Sequence, residues 1–293
     1  MAVGVIDVGS SSVRLLVAVI DRGTVASVCE ERARLALGDD VERLGRISAV
    51  KLGDVARTAR SFALIAREHR VDQLEVLVTA PGRQSANSQQ LVDELVQATG
   101  ALARVISAEE EGRLAYEGAV AGLPVLPRML AVCDVGGGST EAVVGMPDRG
   151  PVWLRSFDVG AVRLTSRYLA TNPPARTALA EAARAVDTAL AGAVPPLCER
   201  ALATGGTPRA LRRIVGETLG ADELDDALET LLERPARAIA AAFGIDRRRA
   251  GLLPAGTLIL RALQRRLVVP LEVSQLGLRE GAALALFAEE AAA

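Results

Sequence analysis

Residues 1–18 read MAVGVIDVGSSSVRLLVA, and residues 130–145 read LAVCDVGGGSTEAVVG. Both carry Asp-Val-Gly-x-x-Ser behind an apolar run, and the second copy starts 127 residues after the first (134 minus 7). Apolar β-branched runs broken by glycine and serine predict strand, tight turn, strand, twice over. A glycine-rich turn brings backbone N–H groups close to an anion with no Cβ in the way. Gly9, Ser10, Ser11 and Ser12 would line the first cradle, and Gly136, Gly137, Gly138, Ser139 and Thr140 the second. Neither is a Walker loop, which needs a Gly-Lys-Ser/Thr ending before a helix. Asp7 and Asp134, at the strand ends, are placed to hold Mg²⁺ directly or through water, since that ion favours one or two carboxylates plus phosphate oxygens.

Outward from the turns, each copy heads an α/β lobe. In the first lobe TVASVCEERARLAL (24–37) continues as a third strand. Helical spacing of apolar residues then predicts a helix over 47–69, followed by the buried strand LEVLVTA, a helix from Ser88, the strand ARVI and a helix from Ser107. Ser107 with Glu110 forms a capping-box pattern. The prolines of LPVLPR (123–128) mark a linker. The second lobe repeats strand, turn and strand, adds a third strand near PVWLRSFDVG, and proceeds through helices to the short strand PLEVS and a closing helix. The expectation is two lobes, 1–120 and 121–279, facing each other across a cleft, with a closing helix over 280–293.

Composition bounds the function. With 50% hydrophobic and 24% charged residues, the 293-residue chain can bury sizeable cores. A net charge of −2 argues against attachment to nucleic acid by bulk charge. The sequence contains neither a long uncharged apolar stretch nor a secretory leader pattern, so a cytoplasmic protein without membrane attachment is expected. Three widely spaced cysteines support neither a disulfide framework nor a zinc knuckle. His69, the only histidine, falls at a helix end and reads as a cap, which sets aside His-based triads and multi-His zinc sites.

ISAEEEGRLAY (106–116) places three carboxylates at a helix start, where they favour the macrodipole. One of them, Glu110 or Glu111, could instead act as general base towards an attacking water. Arg14 and the glycine amides would stabilise phosphate oxygens.

Taken in order, GVIDVGSSSVRLLVA, ISAEEEGRLAY, VCDVGGGSTEAVVG, SFDVGAVRLTSRY, ATGGTPRAL, LLPAGTLIL and LGLREG resemble the motifs of the exopolyphosphatase and guanosine pentaphosphate phosphohydrolase (Ppx/GppA) family. That family belongs to the superfamily of actin, sugar kinases and heat-shock chaperones. The resemblance implies two actin-like, ribonuclease H-like lobes, with the last helix (280–293) returning to pack on the first, and Mg²⁺-assisted hydrolysis of a terminal phosphoanhydride of inorganic polyphosphate or of guanosine pentaphosphate. It implies Glu111 as catalytic base, and Asp134 and Glu141 as the acidic residues that position Mg²⁺ and water. Arg83 and Asn87, within VTAPGRQSAN, match a phosphate-contacting segment, and family likeness implies a homodimer. The first motif departs from the family pattern at Ser11, and TAPGR departs at Ala80 and Pro81. A phosphate or nucleotide sensor without turnover is the rival from another class.

Overall fold

The computed structural model of the chain describes every residue except Arg22, Ala292 and Ala293. It forms two compact units, residues 1–121 with the C-terminal stretch from 276, and residues 122–275. The first contains β1 (Ala2–Val8), β2 (Val13–Asp21), β3 (Thr24–Ala33), α1 (Leu37–Leu44), α2 (Ala49–Glu68), β4 (Gln73–Val78), α3 (Ala80–Gln84), α4 (Ser88–Thr99), β5 (Leu102–Val105) and α5 (Ala108–Ala121). The second contains β6 (Leu130–Val135), β7 (Thr140–Met146), β8 (Gly150–Phe157), α6 (Ala161–Tyr168), α7 (Arg176–Ala189), β9 (Arg200–Thr204), α8 (Gly206–Val215), β10 (Thr218–Leu219), α9 (Ala221–Glu233), α10 (Ala236–Phe243), α11 (Arg247–Leu267) and β11 (Leu271–Val273). The chain then returns to the first unit as α12 (Leu278–Ala291). The last two residues of the helix expected over 280–293 lie outside the described residues.

The sheets run β3-β2-β1-β4-β5 and β10-β11-β9-β6-β7-β8. In each, three antiparallel strands in sequence order are extended by parallel strands, β4 and β5 in one, β9 and β11 in the other. The repeated motif is therefore the visible part of a repeated sheet.

Alternation sorts β1 and β2 onto two faces. Ile6, Val8, Val13 and Leu15 pack with Leu52, Val55, Phe62 and Leu95 from α2 and α4. Val3, Val5, Leu16 and Ala18 pack with Leu114 of α5 and Ala282, Ala283 and Leu286 of α12. Burying one such large side chain stabilises by about 1.5–3 kcal/mol. Between α5 and α12 the backbones touch: a Cβ on Gly118 would sit 2.0 Å from the Gly277 oxygen, and one on Gly281 would sit 1.9 Å from the Leu114 oxygen. This contact fixes the helix that carries Glu111 against the sheet that carries Asp7. In the second unit Ala131, Cys133 and Val135 of β6 share a core with Leu253, Ile259 and Leu263 of α11.

Two expectations shift. The third strand ends at Ala33 rather than running through Leu37, because Ala36 takes a left-handed conformation (φ 55°) and Leu37 opens α1. In the second unit the corresponding strand stops at Phe157, short of the end of PVWLRSFDVG, and α6 follows in a stretch to which the sequence reading assigned no element. His69 caps α2, its N–H donating to the Ile65 carbonyl.

Candidate active site

Both turns close by the same bond. Gly9 N–H donates to the Ser12 carbonyl and Gly136 N–H to the Ser139 carbonyl, each at 3.1 Å. In both, the segment that follows the third strand caps the turn's carbonyls. Ala36 and Gly38 N–H donate to Ser11 and Ser10 at 3.2 and 2.9 Å. The α6 N–H groups of Ala161, Val162 and Arg163 donate to Gly136, Gly137 and again Gly137 at 3.0, 2.9 and 3.1 Å. A trans peptide points its C=O and the next N–H in opposite directions. With the Gly136 and Gly137 carbonyls turned to α6, the Gly137 and Gly138 N–H groups point away from it, as an anion cradle requires. Gly160 makes this approach possible, since a Cβ there would lie 2.4 Å from the carbonyl carbon and oxygen of Gly137.

The side chains behind the turns differ. Asp7 lies opposite Arg14 on the β1–β2 pair, and Arg14 Nε donates to the Ser12 hydroxyl at 3.3 Å. Asp134 lies opposite Glu141 on the β6–β7 pair. Glu141 is 1% exposed, and its carboxylate accepts a hydrogen bond from the Ser156 hydroxyl at 2.8 Å. Like charges directly opposite on adjacent strands destabilise by up to about 1 kcal/mol. Two oxygen donors on one face are the set a hard divalent cation takes alongside phosphate oxygens and water, so Asp134 and Glu141 suit Mg²⁺. Asp7, with a guanidinium opposite, suits it less. Among the described residues no three His, Cys, Asp or Glu side chains gather into a fuller metal site.

On α5, the neighbouring carboxylates have different partners. Glu111, buried, pairs with Arg83 at 2.7 Å, and Arg83 also donates to the Ile106 carbonyl at 3.1 Å. Glu110 pairs with Arg104 at 2.8 Å, and Arg104 reaches Glu75 on its other side. Burial opposes the Arg104 charge, but the Glu75 and Glu110 carboxylates more than offset it and hold its pKa above the usual value. Two residues expected to touch phosphate have their polar groups committed elsewhere. The Asn87 amide binds the Ile47 backbone N–H and C=O, each at 2.9 Å, tying the start of α4 to the loop before α2. The Thr140 hydroxyl donates to the Val159 carbonyl at 2.6 Å and is fully buried. Cys133, beside Asp134, is a core thiol that burial, then Cys198 and Asp134, push up to about 12, so it stays protonated and is no nucleophile.

Sequence reading missed α6 and Gly160 as the support of the second turn. It also missed Ser156 and Thr204, which flank the carboxylates on neighbouring strands. No helix among the described residues is long and apolar enough to cross a membrane.

Comparison with known proteins agrees with this architecture. Exopolyphosphatase 1 of Mycobacterium tuberculosis is 29% identical over 312 residues, covering 99% of this chain and 90% of that protein. Exopolyphosphatase 2 of the same organism is 32% identical over 193 residues, covering 63% and 60%. The crystal structure of an Aquifex aeolicus member of the Ppx/GppA family superimposes with a TM-score of 0.84 at 26% identity, covering 99% of this chain and 98% of that one. The α/β fold of two sheets is accordingly the actin-like fold of that structure. The model of the Ppx/GppA phosphatase family matches residues 16–290, nearly the whole length, and the chain belongs to that family.

Proposed function

We propose that this chain is an exopolyphosphatase that removes terminal phosphates from inorganic polyphosphate by attack of water. What carries the reading is the contrast inside the acidic triplet: Glu110 is tied to Arg104, whereas Glu111 sits buried against Arg83, a cation that can also meet phosphate. Glu111 takes the proton of the attacking water. Arg83 keeps that carboxylate oriented and offsets charge on a phosphate oxygen. The Gly137 and Gly138 N–H groups, directed away from α6, bind phosphate oxygens, with Ser139 beside them. In the first unit Ser10, Ser11, Ser12 and Arg14 bind phosphate in the same manner. Asp134 and Glu141 hold Mg²⁺, which when bound neutralises charge on the phosphate chain. Phosphoanhydride hydrolysis needs little covalent chemistry from protein, in keeping with a site without a Cys or His nucleophile.

Phosphate release from short polyphosphate, long polyphosphate and guanosine pentaphosphate tests the substrate. Release from the polyphosphates is expected, and none from either overturns the proposal. In the same assay Glu111→Gln lowers turnover by about two orders of magnitude or more. Glu110→Gln leaves it within about threefold, because the part-buried Arg104 keeps Glu75 as a partner and a single lost ion-pair member on this side costs little. The reverse pattern would move the base to Glu110.

A further inference from the structure

Strand register extends the carboxylate pair into a row. Asp134 is aligned with Thr204 on the parallel strand β9, and Glu141 with Ser156 on β8. Aligned residues on adjacent strands share a face of the sheet. One face therefore carries, strand by strand, Thr204, Asp134, Glu141 and Ser156, four oxygen-bearing side chains in line. Ser156 has its role on the page, donating to Glu141. Thr204 does not: it is 1% exposed, and its hydroxyl has no hydrogen-bond partner among the described residues. A buried hydroxyl without a partner is costly, so such groups are normally satisfied by protein, by water or by a ligand. The next residue keeps the place open. Gly205 has φ +97°, and a Cβ there would lie 3.0 Å from Asp134 Oδ1 and 3.1 Å from the Val135 oxygen, crowding the carboxylate next to Thr204.

We infer that Thr204 is a positioning residue of the cation site, its hydroxyl accepting a hydrogen bond from a water in the hydration shell of the ion held by Asp134. This rests on the proposed Mg²⁺ site. Mg²⁺ gives up water reluctantly and keeps several water ligands when bound through one or two carboxylates, so its outer partners are side-chain acceptors such as this one. Ser156 and Thr204 then bracket the two carboxylates, one orienting Glu141 from β8 and the other the hydration shell from β9.

The test replaces the hydroxyl by an isosteric methyl, Thr204→Val, with Thr204→Ser as the conservative variant and Asp134→Asn as control. Mn²⁺ binding is followed by electron paramagnetic resonance, and metal-free melting by calorimetry. In the expected result Thr204→Val melts without metal no lower than wild type, since it loses a hydroxyl that bound no protein group. It binds Mn²⁺ about tenfold more weakly, the usual effect of removing an outer-sphere partner. Thr204→Ser binds within about twofold of wild type. Unchanged Mn²⁺ affinity in Thr204→Val overturns the inference while leaving the carboxylate site standing, provided Asp134→Asn loses the ion. A metal-free melting temperature that falls in Thr204→Val but not in Thr204→Ser also overturns it, because the hydroxyl would then hold the protein itself together. Wild-type protein that binds no Mn²⁺ sinks the cation site, and this inference with it.

Discussion

At corresponding places in the two units, Arg14 follows the first turn and Glu141 the second, each facing an aspartate across its strand pair. Followed across the sheets, the contrast widens. The first row reads Leu77, Asp7, Arg14 and Arg32, one carboxylate among two guanidinium groups. The second reads Thr204, Asp134, Glu141 and Ser156, two carboxylates among hydroxyls. The turns themselves remain alike, with the same closing bond and carbonyls capped by the segment after the third strand. The two units thus share a turn geometry, while the side chains beneath differ, guanidinium groups beside one aspartate and a second carboxylate with hydroxyls beside the other.

The strongest challenge to this division exchanges its charges one at a time. Glu141→Gln removes one of the two carboxylates of the proposed cation site and is expected to lower kcat by about 10²- to 10³-fold, as loss of one preorganised electrostatic group does. Arg14→Gln removes a proposed phosphate partner and is expected to raise KM about tenfold with kcat nearly unchanged, the pattern of a binding interaction equal in ground and transition states. Steady-state phosphate release against polyphosphate concentration separates the two. If Arg14→Gln lost kcat as severely as Glu141→Gln, the two rows would share one task.

A smaller effect concerns how the turns are held. Gly160→Ala pushes a methyl into the Gly137 carbonyl, so backbone must shift. Overpacking of this kind costs about 1–3 kcal/mol, and the displaced turn is expected to lower kcat/KM about tenfold. The first turn's clamp passes through Ala36 in a left-handed conformation (φ 55°). There Ala36→Gly relieves about 1–2 kcal/mol of steric cost while adding about 0.5–1 kcal/mol of unfolded-chain entropy, for a small net gain. Denaturant midpoints give both signs. A destabilised Ala36→Gly would show that the clamp needs the alanine methyl rather than tolerating it.

Strands, turns and the aspartates at their ends were legible because period-two apolar runs and glycine breaks are local signals. α6 was hidden: the stretch after PVWLRSFDVG received no element from its pattern, and what makes it a support is Gly160's approach to a turn more than twenty residues earlier. Thr204 and Ser156 were invisible for a related reason, since only strand order β9-β6-β7-β8 and register place them beside Asp134 and Glu141. Motif matching selected Asn87 and Thr140 by residue type, and neither type says that Ile47 and Val159 already hold the polar groups. Glu110 and Glu111 are adjacent in sequence and only the family resemblance favoured Glu111; successive helical residues point to different sides, and their partners Arg104 and Arg83 differ accordingly.

The finest distinction between the clamps is their response to acid. The second turn is held by backbone bonds from α6 to glycine carbonyls, which do not titrate. The first is held by α1, whose buried Asp40 accepts the Ser48 N–H at 3.0 Å and pairs with Lys51 at 3.1 Å. Burial alone would raise the Asp40 pKa, but hydrogen bonds from Ser48 and Lys51 together with the Lys51 charge outweigh it and hold the carboxyl below its usual range. A carboxylate whose pKa is depressed on folding contributes stability that is fully present above its unfolded pKa of about 3.9, and lost as pH falls through the folded value. Asp40→Asn is therefore expected to be less stable than wild type at pH 7, with the difference shrinking as pH drops below about 4. Urea titrations of both proteins across that range measure it. A gap that stayed constant from pH 7 to pH 3 would mean that Asp40 acts by shape alone, and that the two clamps are equally indifferent to acid.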